Sequence, residues 1–91
     1  MTKEELIKVI SGKLIENCDL SELDLNGMDL SGCEIKNVIF AKGDQKGREL
    51  DGLIFNNTKI SNSSFEGAEL RNCDFDGLGT VLKSVSFKKS V

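Results

Sequence analysis

Histidine, tryptophan, tyrosine and proline are all missing from these 91 residues. Without histidine the chain lacks the commonest general base and the commonest metal ligand, and a Cys–His dyad is ruled out. No apolar run approaches the ~20 residues of a membrane span. The amino terminus has no signal-peptide core, because Lys3, Glu4, Glu5 and Lys8 break it. Charge of one sign is also scarce. The net charge is −3, with both signs spread along the chain. That argues against a nucleic-acid binder working through a basic patch, and it is too mild for an acidic disordered tail. Three cysteines, Cys18, Cys33 and Cys73, cannot all pair within one chain, so the expectation is a reducing compartment and free thiols. The length allows one domain with a modest core, which needs regular stacking or a partner to be stable.

What is present is a repeat. Written in fives from Lys13, the chain reads KLIEN, CDLSE, LDLNG, MDLSG, CEIKN, VIFAK, GDQKG, RELDG, LIFNN, TKISN, SSFEG, AELRN, CDFDG. The third position is Ile15, Leu20, Leu25, Leu30, Ile35, Phe40, Gln45, Leu50, Phe55, Ile60, Phe65, Leu70 and Phe75, large and apolar everywhere except Gln45. Leu78 and Gly79 interrupt the frame, which resumes as TVLKS and VSFKK around Leu82 and Phe87. Neither the helical period of 3.6 nor the strand period of 2 sustains a spacing of five. The first position is small or moderately apolar, the second mostly Asp, Glu or Lys, and the fifth rich in Gly and Asn, the residues suited to a tight corner. Each five residues thus offers an extended piece, two inward side chains and a turn.

AELRN, CDLSE, MDLSG and CDFDG follow the pattern A-(D/N)-L-x-x, and from about Lys13 to Lys89 the chain resembles the pentapeptide-repeat family. The resemblance implies an all-β fold, a right-handed quadrilateral parallel β-helix with four pentads per coil and third-position side chains stacked inside. About three and a half coils follow, a rod roughly 17 Å tall at the spacing of paired strands. With four pentads per coil and GDQKG kept in the coil, Cys33 and Cys73 are expected to share a face two coils apart, too far for a disulfide, with Cys18 on another face; if GDQKG loops out, Cys33 and Cys73 no longer align.

The ends differ. Thr2 and Glu5 form a capping box, and Leu6, Ile7, Val9 and Ile10 give an apolar stripe before Ser11–Gly12. Residues 1–12 are therefore expected to be a capping helix laid on the first coil, and residues 13–91 the β-helix. The end near Phe87 shows no comparable cap and is expected to be bare or covered, with end-to-end homodimerisation the simplest cover. Residues 42–48 are expected to leave the wall as a polar loop. An in-frame pentad would bury the amide of Gln45 and put Gly43 where other pentads fill the interior, whereas a loop sends Lys42, Asp44, Lys46 and Arg48 to water; the alternative is that Gln45 stays inside with its amide bonded to neighbouring backbone.

No pattern for chemistry emerges. The second-position carboxylates point outward, one per pentad, without the enclosure that catalytic pairs require. The cysteines lack C-x-x-C spacing and a fourth ligand, and read as small interior fillers. GDQKG lacks the phosphate-loop signature. The expectation is no enzyme, no catalytic or metal-binding residue and no cofactor. Ile39 and Ile54 are apolar where the repeat exposes a polar residue. With Lys42, Asp44, Gln45, Lys46 and Arg48 they are the candidate partner-binding residues.

The reading is a non-catalytic structural or protein–protein interaction module with an unidentified protein partner, no direct nucleic-acid binding and no membrane insertion. The resemblance implies a bacterial, cytoplasmic protein, or a piece of a bacterial effector delivered into a host cell. Its alternative is a DNA-mimicking regulator of DNA gyrase, which the low net charge disfavours because duplex DNA carries about one charge per 1.7 Å.

Overall fold

A computed structural model describes residues 2–42, 48–77 and 79–87. The elements are helix α1 (Lys3–Ser11) and strands β1 (Leu14–Asp19), β2 (Glu34–Lys42), β3 (Arg48–Asp51), β4 (Lys59–Ser61), β5 (Ser64–Glu66), β6 (Ala68–Arg71) and β7 (Val81–Lys83). All the strand pairs are parallel, and the chain winds as a β-solenoid of about three turns, shorter than the three and a half coils counted from the pentads.

Four ladders make four walls. The first stacks Leu14, Glu34, Lys59 and Val81; the second Asp19, Ile39, Ser64 and Ser86. The third pairs Arg48 with Ala68, Glu49 with Glu69 and Asp51 with Arg71; the fourth stacks Asp29, Ile54 and Asp74. Corners fall at the fifth position of the pentads. Asn37 (φ 53°), Asn62 (φ 50°) and Asn72 (φ 55°) take the left-handed conformation there, which asparagine tolerates better than most residues. Long strands such as β2 bend through such a corner and serve two walls.

The register steps locate the interruptions. Leu14 to Glu34 and Arg48 to Ala68 are full steps of 20 residues, but Glu34 to Lys59 is 25 and Lys59 to Val81 is 22. The two-residue excess corresponds to Leu78 and Gly79. The five-residue excess falls across positions 43–47: Lys42 stands opposite Glu66 and Arg48 opposite Ala68, while a register shift between Ile39 and Ala41 accounts for one residue. The expected departure from the wall at 42–48 is corrected at both ends, since Lys42 closes β2 and Arg48 opens β3. Gly43, Asp44, Gln45, Lys46 and Gly47 lie outside the described residues.

The 25-residue step also moves the cysteines. Cys33 precedes Glu34 on the first wall and Cys73 precedes Asp74 on the fourth, so the two do not share a face as expected from uniform coils. All three cysteines are free thiols. Cys33 is buried, but Cys18 and Cys73 are only partly so, which corrects their reading as uniformly interior.

The core follows the third position. Ile15, Leu20, Leu25, Leu30, Ile35, Phe40, Leu50, Phe55, Ile60 and Phe65 are all buried. At roughly 1.5–3 kcal/mol per buried Leu, Ile or Phe, these rows dominate the stability of the coil. Phenylalanines stack coil over coil, Phe40 on Phe65 at 4.5 Å and Phe55 on Phe75 at 4.8 Å, and meet edge-to-face across the interior, Phe40 to Phe55 at 5.9 Å. Burial fades in the last coil. Leu70 and Phe75, expected inside, are half-buried, and Leu82 and Phe87 are 44% and 36% exposed.

The opposite end is covered. Thr2 Oγ1 accepts from the Glu5 N–H at 3.2 Å and Glu5 Oε1 accepts from the Thr2 N–H at 3.1 Å, closing the capping box of α1. Leu6 is fully buried against the first coil, with Val9 and Ile10 packed beside it, while Ile7 faces out. The helix stops at Gly12, but Gly12 stays right-handed; the left-handed turn into β1 is taken by Lys13 at φ 61°.

Candidate functional site

With the interior filled by side chains, anything this chain does lies on its walls, its corners or its last coil. The first interior position proves to be chemically active in one respect. Where it is polar, its side chain donates to backbone carbonyls, some of which, such as Leu30 O and Leu20 O, also accept a backbone N–H. Thr58 Oγ1 donates to Leu30 O at 3.1 Å, Ser63 Oγ to Ser61 O at 3.0 Å, and Cys73 Sγ to Leu50 O at 3.0 Å. Arg48 occupies the same position. Its Nε donates to Phe40 O at 3.2 Å and its Nη2 to Leu20 O at 2.9 Å. Arg48 was expected to reach water; instead the wall holds it half-buried, and burial pushes its guanidinium pKa down against the opposing fields of Asp24 and Asp19.

Of the other sequence candidates, Lys42 forms an ion pair with Asp19 at 2.8 Å. That hydrogen bond, with those from Ser21, pulls the Asp19 carboxyl down to about 2. Ile39 lies on the second wall, 38% exposed, and Ile54 on the fourth, partly buried between Asp29 and Asp74. The structure therefore does not bring Ile39 and Ile54 together as one patch. Asp44, Gln45 and Lys46 lie outside the described residues.

Two features escaped the sequence. The first is a cleft of about 530 Å³ at the corner between the second and third walls, lined by Ser21, Glu22, Leu23, Asp24, Asn26, Arg48 and Glu49. Ser21 is 2% exposed, and its backbone N–H donates to Asp19 Oδ1 at 2.9 Å. The second is charge segregation. The third and fourth walls carry Asp24, Asp29, Glu49, Asp51, Glu69, Asp74 and Asp76; of the described cations on them, Arg71 is paired with Glu69 at 3.2 Å and Arg48 is turned onto backbone carbonyls. The first wall carries Lys36, Lys59 and Lys83 against Glu16 and Glu34, so the modest net charge conceals two acidic faces. Both features depend on which pentads stack, and the 25-residue step sets that.

A protein-family profile described as Pentapeptide repeats (8 copies) matches residues 47–77. These are pentapeptide repeats. The ladders carry the same five-residue geometry on both sides of the matched segment, from β1 to β7. No curated protein and no solved structure matches the chain. In the solenoid, no group of three or more His, Cys, Asp or Glu among the described residues is placed to hold a metal ion, and no described helix is long and apolar enough to cross a membrane. The cysteine thiols are pushed up by burial, which disfavours the reactive thiolate.

Proposed function

We propose that this pentapeptide-repeat solenoid is a non-catalytic protein-interaction module that associates through its last coil. The observation that carries the reading is the asymmetry of its ends. Helix α1 buries Leu6 over the first coil, whereas Val81, Leu82 and Phe87 are 49%, 44% and 36% exposed at the other. Strand β7 ends the ladder β1–β2–β4–β7, and an end strand offers backbone donors and acceptors to a neighbour. Apolar side chains framing an open strand edge suit a protein surface. A second copy meeting this one end to end is the simplest such cover. The free thiols fit the reducing cytoplasm of a bacterium or of a host cell reached by delivery.

Light scattering across a concentration series tests the association. The wild-type chain is expected to shift toward a dimer while Leu82→Asp stays monomeric. A wild-type chain that stays monomeric, and that captures no protein which Leu82→Asp fails to capture, would overturn the reading.

A second reading, a DNA-mimicking regulator of DNA gyrase, gains one observation: the third wall carries Asp24, Glu49 and Glu69 on successive coils, and the fourth carries Asp29 and Asp74 on either side of Ile54. A supercoiling assay with gyrase and a quinolone separates the two. Protection by the wild type that Asp24→Asn/Glu49→Gln/Asp74→Asn loses supports mimicry, and no protection removes it.

A further inference from the structure

Three Asp or Asn residues stand directly before a glycine, in Asn26–Gly27, Asp51–Gly52 and Asp76–Gly77, and each pair turns a corner with its glycine at positive φ. Glycine has no Cβ to shield its nitrogen, so such a pair closes to a succinimide most readily when that nitrogen can reach the side-chain carbonyl carbon before it. Two of the pairs are tied to the next coil. The Gly27 N–H donates to Asp51 O at 2.8 Å, and the Gly52 N–H to Arg71 O at 2.8 Å. Their side chains are engaged as well. Asn26 Oδ1 accepts from the Asp51 N–H at 2.8 Å, and Asp51 Oδ1 accepts from Asn72 Nδ2 at 3.1 Å. Attack at either pair has to break these bonds first. The third pair is arranged differently. The Gly77 N–H donates to Asp76 Oδ1 at 2.8 Å, so this nitrogen already faces the carboxyl group that holds the carbon it would attack. Asp76 and Gly77 are both exposed to water.

We propose that Asp76–Gly77 is a site of spontaneous backbone modification, where aspartate isomerises to isoaspartate through a succinimide. The Gly77 nitrogen forms a bond to Cγ of the protonated Asp76 carboxyl group. The nitrogen gives up its proton, and the carboxyl hydroxyl leaves with it as water. Solvent water then opens the ring. Addition at Cγ restores aspartate, and addition at the main-chain carbonyl leaves isoaspartate, so the net change needs no other reactant. Isoaspartate adds a methylene to a corner that is bonded from two sides, since Asp76 O accepts from the Asn57 N–H at 3.0 Å and from Thr80 Oγ1 at 2.7 Å. That corner leads into β7, so the modification loosens the last coil. The site goes beyond the reading of the solenoid as an interaction module, because its chemistry is the same whether or not the chain associates.

Peptide mapping with electron-transfer fragmentation, which separates isoaspartate from aspartate, tests this on the folded full chain in mildly acidic buffer and on the same chain in urea. Asp51–Gly52 is the internal control. Isoaspartate is expected to accumulate at position 76 at least about tenfold faster than at position 51 in the folded chain, and about equally fast in urea, where no corner is held. Asp76→Asn sharpens the comparison, because it sets two Asn–Gly pairs in one chain with ammonia as the leaving group at both. Position 76 should then lose ammonia at least about tenfold faster than Asn26 in the folded chain, and about as fast as Asn26 in urea. Equal rates at positions 76 and 51 in the folded chain, Asn26 reacting as fast as position 76 in the folded variant, or a ratio that survives urea unchanged would each overturn the proposal.

Discussion

A single residue shows how tightly the corners are specified. Gly77 sits at φ 103°, and a Cβ there would fall inside contact distance of Asn57 Oδ1, which accepts a hydrogen bond from the Gly79 N–H at 3.2 Å. Gly77→Ala combines a backbone conformation that L-residues avoid with a clash against a group already engaged. It is expected to destabilise the fold by about 1–3 kcal/mol, measured by urea unfolding. Asp19 makes a different kind of test. Its carboxyl is held down to about 2, first by the hydrogen bond to Lys42 and then by those to Ser21. A folded pKa below the unfolded value of ~3.9 means that the ionised form favours the fold. The contribution is present above pH ~4 and is lost as pH falls through about 2. The group is 40% exposed, so solvent screening keeps the effect on stability small. The sharper measurement is the titration of the Asp19 carboxyl by NMR: Lys42→Met should raise its pKa, and an unmoved pKa would refute the pairing in solution.

Among the elements, α1 and the third-position rows were legible in the sequence, and for the same reason: each is a local pattern whose period names the structure. The capping box needs only Thr2 and Glu5, and a spacing of five survives no regular helix or strand. What the sequence left hidden depends on which pentads stack. The 25-residue step separates Ile39 from Ile54 and sets Asp24 in one cleft with Glu49; that it also puts Cys33 and Cys73 on different walls follows from GDQKG leaving the count of pentads. Arg48 was hidden differently. Its frame position points it inward, but a pattern of fives does not say that a guanidinium will seal two carbonyls at a corner. The helix itself offers a graded prediction. Thr2→Ala removes one cap and should cost about 1 kcal/mol, whereas Leu6→Ala empties a fully buried site and should cost about 2–5 kcal/mol. If thermal unfolding shows equal losses, α1 is not packed on the first coil as described.

At the scale of the whole molecule, the question is whether the five extra residues are needed to build the solenoid. Phe40 stacks on Phe65 at 4.5 Å, a 25-residue step, yet the register slips between Ile39 and Ala41 so that Lys42 meets Glu66. Deleting residues 43–47 joins Lys42 directly to Arg48. Arg48 already stands opposite Ala68, so an unslipped strand would set Ala41 against Glu66 and Lys42 against Gly67. Every third-position side chain keeps its place in that register, and the shorter connection lowers the entropy of closure slightly. The deletion is therefore expected to fold, with its circular dichroism preserved. It also forces Lys42 into the corner position that Gly67 fills at φ 78° in the next coil, and a left-handed lysine costs roughly 1–2 kcal/mol. Lys13, at φ 61°, shows that the fold tolerates such a residue. Thermal unfolding should then show a coupling. Lys42→Gly raises the melting temperature of the deletion variant, but in the full chain it gives no gain, because there Lys42 lies in β2 and pairs with Asp19. A deletion variant that fails to fold, or a Lys42→Gly effect of the same sign and size in both chains, would show that the register around Lys42 is not as described.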